Sequence, residues 1–136
     1  MLRAAHQSLK ETIELIRHAE DHGADFISLV GPAFGRASES MIYEYFERVA
    51  ASTNLGLSIF NTPQMGYVIS PELMARLADI PNVCALKNDI DMPHTIQIRN
   101  LVGDRIVVVD PSEETMLVSM AQFAQRVIYT GTNYMY

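Results

Sequence analysis

Two lysines occur in the sequence, Lys10 and Lys87, against eight arginines. Lys10 lies in a polar helical stretch, where a solvated lysine needs no explanation. Lys87 closes the apolar run Val83-Cys84-Ala85-Leu86, and an amine at the end of a buried strand has other uses. An amine that loses hydration is disfavoured in its charged form. A neutral amine attacks a carbonyl and forms a Schiff base, an electron sink for carbon–carbon cleavage or dehydration. The plainer alternative is a lysine that reaches into solvent and pairs with Asp89 or Asp91.

Other reactive side chains read more simply. His18 and His22 stand four apart, a spacing that can chelate a metal, but without an acidic third ligand a solvated helix surface is the better reading. Cys84, within a strand, reads as a small hydrophobe. A single cysteine excludes a disulfide within the chain and a cysteine-based zinc site. No glycine-rich phosphate motif of the G-x-G-x-x-G or P-loop kind occurs. No cofactor and no metal are expected.

The elements that must position Lys87 follow from two alternating periodicities. Ser8 to His22 reads as a helix capped by Ser8, with Leu9, Ile13, Ile16, Ala19 and Glu20 at helical spacing, and Gly23 stops it. Phe26 to Val30 is a strand. Ser38 to Ser52 is a helix, with Met41, Ile42, Tyr45, Phe46 and Val49 on one face. Leu57 to Phe60 is a strand, and Ser70-Pro71-Glu72 opens a third helix. Val83 to Lys87, Ile106 to Val109 and Val127 to Thr130 are strands separated by helices over Met92 to Leu101 and Ser112 to Phe123. Strands without period-two alternation are buried on both faces, which implies a parallel sheet covered by helices.

On this reading the first element is a helix without a strand before it, and the last is a strand without a helix after it. Five strands cannot close a parallel barrel of eight. The order favours an α/β fold of parallel βα repeats, part of a (β/α)₈ barrel covering strands four to eight, without the first three strands and the C-terminal helices. The whole chain, 1–136, is then a single partial domain. Such barrels present their chemistry at the C-terminal ends of the strands. Here those ends read Gly31-Pro32-Ala33-Phe34, Phe60-Asn61-Thr62-Pro63, Lys87-Asn88, Asp110-Pro111-Ser112 and Tyr129-Thr130-Gly131.

Composition bounds the partners. The chain has 136 residues, 49% of them hydrophobic and 19% charged, and a formal charge of -6. That suits one globular domain and argues against nucleic acid. The longest apolar runs are too short to span a bilayer, and the N-terminus has no apolar signal core. A soluble cytoplasmic protein that makes no membrane contact is expected. Open sheet edges at Phe26 to Val30 and Val127 to Thr130 would template association, so a homo-oligomer is expected.

Several stretches, in order, resemble the dihydrodipicolinate synthase / N-acetylneuraminate lyase family of Schiff-base class I aldolases. Ala19-Glu20-Asp21-His22-Gly23-Ala24-Asp25 is similar to the family's A-E-x-x-G-A-D stretch, and Phe60-Asn61-Thr62-Pro63 to its Y-N-x-P. Ser70-Pro71-Glu72-Leu73, with Leu77 to Val83, resembles its fifth helix and the run into strand six. Ala85-Leu86-Lys87-Asn88 falls on the G-I-K-E/D motif. The resemblance implies a TIM barrel, a lyase or aldolase acting through a Schiff base of Lys87 with pyruvate or another 2-keto acid, and a substrate pocket including Phe60, Asn61, Phe34, Tyr129 and Thr130.

The departures are as informative. The family's proton-relay tyrosine in Y-N-x-P is Phe60 here, which has no hydroxyl. The tyrosine pair after strand four is Ala33-Phe34. The relay threonine of a T-T-G-E motif, with the donors for the substrate carboxylate, would lie before Met1. After Pro63 the chain reads Gln64-Met65-Gly66-Tyr67, without the arginine used for a dicarboxylic substrate. Tyr129 offers a replacement hydroxyl, although the family place is usually small. A lyase on another 2-keto acid, a binding protein that kept the scaffold, and a truncated product all stay open.

Overall fold

A computed structural model of the chain describes residues 2–123, apart from Ala5, Ala33, Phe34, Arg36, Glu113 and Glu114. Strands and helices alternate throughout: β1 (Leu2–Ala4), α1 (Leu9–Asp21), β2 (Phe26–Leu29), α2 (Glu39–Ala50), β3 (Gly56–Asn61), a 3₁₀ turn (Pro63–Met65), α3 (Pro71–Leu77), β4 (Val83–Asn88), α4 (Met92–Val102), β5 (Val107–Val109) and α5 (Met116–Phe123). The strands form one sheet in sequence order, and every neighbouring pair is parallel. Sequential parallel order with a helix in each crossover is the local pattern of a (β/α)₈ barrel.

Four helices begin on a side-chain cap that accepts an otherwise unpaired backbone N–H of the first turn. Ser8 accepts from Glu11, Ser38 from Met41, Ser70 from Leu73 and Asp91 from His94. Pro71 follows its cap directly and Pro93 stands two residues after Asp91, where a missing N–H costs nothing. The helix-facing side of the sheet is the core. Ile27, Leu29, Leu57, Ile59 and Leu86 are fully buried there, together with Ile16, Phe46 and Ile98 from the helices.

Four expectations are corrected. A strand precedes the first helix: Leu2–Ala4 pairs with Ile27, Ser28 and Leu29, so β1, not Phe26 to Val30, is the edge, and the chain reaches one strand further back along the barrel order. A three-residue strand gives too few positions for alternation to be read. Helix α5 starts at Met116 rather than Ser112, because Ser112 N–H is taken by Asp110 Oδ1 at 2.8 Å. Met41 is 59% exposed although Ile42, Tyr45, Phe46 and Val49 are buried, since it lies at the margin of the apolar stripe. The face away from the helices is only partly covered: Ser28, Val30, Ser58 and Val109 are buried there, while Phe26 (36% exposed) and Val107 (40%) are open. The expected strand over Val127 to Thr130 lies outside the described residues.

One close approach ties the loop after β3 to the end of β2. A Cβ built on Gly31 would lie 2.0 Å from Tyr67 Oη and 3.3 Å from its Cζ, so the tyrosine tip fills the place of a side chain at position 31. That hydroxyl is buried and has no hydrogen-bond partner among the described residues. Burial, with a smaller contribution from nearby Tyr45, pushes its pKa up to about 12. Gly31→Ala should therefore destabilise the fold by about 1–3 kcal/mol in urea unfolding, as overpacking does. Tyr67→Phe, which removes a hydroxyl that gains nothing from the fold, should be neutral or mildly stabilising and should recover part of the Gly31→Ala loss.

The same hydroxyl makes stability fall in alkali. The folded state holds the Tyr67 proton more tightly than the unfolded chain does, where the ordinary value is 10.0. Its contribution is complete below that value and is lost as pH rises towards about 12. Tyr45, also raised by burial against the lowering effect of its bond to Thr12, acts in the same direction. Unfolding midpoints measured across this range should fall less steeply in Tyr67→Phe than in the parent.

Candidate active site

Two neighbouring strands end in the pairs Phe60-Asn61 and Lys87-Asn88, set side by side by the register of β3 and β4. Successive side chains on a strand point to opposite faces, so each pair sends one member among the helices and the other to the open face. The asparagines decide which. Asn61, 2% exposed, accepts the Ile69 N–H on Oδ1 at 2.9 Å. Its Nδ2 donates to Asn88 Oδ1 at 2.9 Å and to Ile69 O at 3.3 Å. Asn88, 1% exposed, donates to Thr95 Oγ1 at 2.8 Å and faces His94 Nδ1 at 3.3 Å. His94 Nε2 lies 3.1 Å from Ile69 O. A carbonyl can only accept, so Nε2 carries the proton and Nδ1 accepts from Asn88. Both amides are satisfied inside the helix-side layer.

With Asn61 and Asn88 fixed there, Phe60 and Lys87 share the open face. Lys87 Nζ lies 4.5 Å from the centroid of the Phe60 ring, within range of a cation–π contact. Val109 is in register with Lys87 on the other side. Among the described residues no ion pair involves Lys87. Asp91, a partner in the solvated reading, is the cap of α4 and accepts His94 N–H at 2.8 Å. Lys10, by contrast, is exposed and pairs with Glu14 at 3.8 Å.

The polar row continues to Asp110, next after Val109. Its Oδ1 accepts Ser112 N–H, and its Oδ2 accepts the hydroxyls of Thr115, at 2.6 Å, and Ser119. Asn61, Asn88 and Asp110 thus anchor the segments following three consecutive strands. Asn61, expected in the substrate pocket, has its amide fully engaged by Ile69 and Asn88 and positions the segments it joins. Phe34, Tyr129 and Thr130 lie outside the described residues. Sequence reasoning missed Asn88, Thr95, His94 and Tyr67. The available signal was an asparagine directly after each of two adjacent strands.

Cys84, read from the sequence as a small hydrophobe, sits where the β3–β4 register shifts, and it is exposed. The extra residue of the bulge turns it to the open side. Partial burial still pushes its thiol up, a backbone hydrogen bond acting the other way, which works against a nucleophilic thiolate. The His18 and His22 rings are 4.1 Å apart, and His22 Nδ1 donates to His18 O at 2.7 Å. Among the described residues no group of three or more His, Cys, Asp or Glu side chains is placed to hold a metal. No helix among them is long and apolar enough to cross a membrane.

The profile of the dihydrodipicolinate synthetase family matches residues 3–135. The chain belongs to that family. It is 32% identical over 112 residues to a 4-hydroxy-tetrahydrodipicolinate synthase of Methanothrix thermoacetophila, a match covering 81% of this chain and 38% of that relative. Among solved structures, YagE, a prophage protein of the dihydrodipicolinic acid synthase family from Escherichia coli K12 crystallised with pyruvate, superposes with a TM-score of 0.91 at 28% identity. That alignment covers 98% of this chain and 47% of YagE. The 2-keto 3-deoxygluconate aldolase of Picrophilus torridus, 23% identical with a TM-score of 0.91 over 99% of this chain and 50% of its own, shares the fold. The chain spans about two-fifths of the length of the curated relatives it matches.

In this dihydrodipicolinate synthetase family member, the two residues that the register brings together are those that the motifs match to the Schiff-base lysine and the relay tyrosine. Their placement rests on the amide network. Asn88→Ala would leave Asn61 Nδ2, Thr95 Oγ1 and His94 Nδ1 each short of a partner. It should cost about 1–3 kcal/mol in urea unfolding.

Proposed function

We propose that the chain carries the Schiff-base centre of a lyase or aldolase acting on pyruvate or another 2-keto acid, with Lys87 as the nucleophile. The observation that carries this reading is the position of the Lys87 amine: at the C-terminal end of a parallel strand, on the open face, against the Phe60 ring and outside every ion pair among the described residues. The neutral amine adds to the keto carbon. Loss of the keto oxygen as water then leaves a C=N bond to Nζ. The protonated imine withdraws electrons from the adjacent carbon, which can lose a proton or a carbon substituent and regain either in reverse. Similarity to YagE, whose structure holds pyruvate, supports the choice of substrate class.

Phe60 sets a limit on this chemistry. Its ring touches the amine but can neither give nor take a proton, so proton transfers fall to water or to another hydroxyl such as that of Tyr129. That observation also favours a second reading, in which a 2-keto acid binds covalently with little turnover. The loop that follows, Pro63–Met65 with Gly66 at φ 85, offers no arginine, so a dicarboxylic aldehyde finds no bidentate partner there.

Incubation with pyruvate and borohydride should add mass at Lys87, mapped by peptide mass spectrometry. Modification at Lys10 alone, or at neither lysine, overturns the reading. A positioned acid–base group contributes about 10²–10⁴-fold. Phe60→Tyr should therefore speed deuterium exchange at the pyruvate methyl by at least about 10²-fold. An unchanged exchange rate beside intact trapping would instead select covalent binding without assisted turnover.

A further inference from the structure

The hydrogen bonds behind Lys87 close into a ring. Ile69 N–H donates to Asn61 Oδ1 at 2.9 Å, and Asn61 Nδ2 donates to Asn88 Oδ1 at 2.9 Å. Asn88 Nδ2 meets His94 Nδ1 at 3.3 Å, and His94 Nε2 returns to Ile69 O at 3.1 Å. Every donor points the same way round, from the N–H of Ile69 back to the carbonyl of the same residue. A side-chain amide can turn over, but a backbone N–H and C=O cannot exchange roles. A turned Asn61 would set its NH2 against Ile69 N–H and its oxygen against Ile69 O, to which Nδ2 now donates at 3.3 Å. A turned Asn88 would set donor against donor at Asn61. Its oxygen would also meet Thr95 Oγ1, whose own proton goes to Asp91 O at 3.1 Å. The backbone of one residue thus fixes the sense of the whole ring, and the ring requires an acceptor at His94 Nδ1.

We infer that His94 is a positioning residue for Lys87, and that one proton taken up on its Nδ1 opens the ring and loosens the Lys87 site. The inference rests on the Schiff-base reading of Lys87 and adds how that site responds to acid. A charged imidazole donates from both nitrogens, so Nδ1–H would face the Asn88 NH2. Turning Asn88 does not relieve this, because Ile69 and Asn61 hold the sense of the ring. The charged groups on the surrounding elements supply no other acceptor. Asp91, the cap of α4, takes the backbone N–H of His94 at 2.8 Å. Asp89 and Lys87 flank Asn88 in the chain, and Glu72 and Arg76 belong to α3, which packs against α4. Glu39 of α2 accepts from Ser70, next to Ile69. Helix α5 meets α4 through Ser119 and Met92, and Asp110 is taken by Ser112, Thr115 and Ser119. Among the described residues none of these charges is hydrogen-bonded or ion-paired to the imidazole. Release of Asn88 frees the residue that directs Lys87, and a reacting group misplaced by about 1 Å can lose about 10²-fold in rate.

Rates of pyruvate trapping at Lys87 with cyanoborohydride, compared between the whole chain and two variants, read this response. His94→Phe opens the ring at every pH. His94→Gln keeps a donor and an acceptor but takes up no proton. Ratios of rates at one pH cancel the pH dependence of the amine and of the reductant. NMR spectra of isotope-labelled histidine and of the Ile69 amide follow the ring in the same samples. At about pH 8 the His94 ring should be neutral with its proton on Nε2, the form in which Nδ1 accepts. There the parent should trap faster than His94→Phe by about tenfold or more. Towards about pH 5.5, where imidazoles charge, that advantage should shrink below about threefold. The midpoint of the loss should coincide with the titration of the His94 nitrogens and with a shift of the Ile69 N–H resonance. His94→Gln should keep its advantage over His94→Phe across the same range, or match His94→Phe throughout if its amide does not close the ring. A proton on Nδ1 at about pH 8, a parent no faster than His94→Phe there, or an advantage that persists while His94 charges overturns the inference. A His94 that stays neutral until the chain unfolds, or a His94→Gln that loses its advantage in acid as the parent does, overturns it too. In each of these cases a pyruvate adduct at Lys87 leaves the Schiff-base reading standing. Absence of that adduct in the parent overturns that reading, and this inference with it.

Discussion

The direction in which Lys87 points is decided by the residue after it. A strand offers two faces, and a slip of one position would send the amine among the helices and the asparagine to the open side. Asn88 makes that slip expensive, because it bridges Asn61, Thr95 and His94 within the buried layer. Asn61 does the same for Phe60 through Ile69. Since the two amides also bond each other, the registers of β3 and β4 are coupled by side chains as well as by the backbone ladder. Partly satisfied polar networks in low-dielectric surroundings are costly, and fully satisfied ones are rigid. The face that carries Lys87 inherits that rigidity without contributing to it.

The loops obey the same row of residues. Asn61 holds Ile69, so the whole 62–69 segment is pinned at both ends of its arc. Tyr67, inside that arc, rests its hydroxyl in the space left by Gly31. Asn88 and His94 draw the start of α4 against the same carbonyl of Ile69, and Asp110 gathers Ser112, Thr115 and Ser119 at the start of α5. Short βα connections of this kind leave the strand ends open on one side and closed on the other.

What the sequence made legible was local. Ser8 and Ser70 announce helix starts because a cap and its target lie three residues apart. Lys87 stood out because a lone amine after an apolar run is rare in any strand. Strand β1 was illegible because three residues carry no period, and Leu2–Ala4 is defined by its partners in β2. The bond of Asn61 to Ile69 was illegible because an amide at a strand end reads the same whichever face it takes. Tyr67 gave no signal at all. Its role depends on a glycine 36 positions earlier in the sequence, which the fold alone brings against it.

The two sides of the strands also differ in what a substitution can do. On the helix side each position is tied to several others: changing Leu86 or Ile59 leaves a void in a fully buried layer, and changing Asn61 or Asn88 strands hydrogen-bonding groups. On the open side Phe60, Lys87 and Val107 are only partly enclosed, and their alteration leaves the helix-side layer intact. The arrangement therefore separates what holds the chain in shape from what the open face presents, residue by residue along the same strand. Exchanging a phenol for a phenyl ring at position 60 removes a proton donor beside the amine and makes the wall more apolar. Neither change enters the network that keeps Lys87 in place.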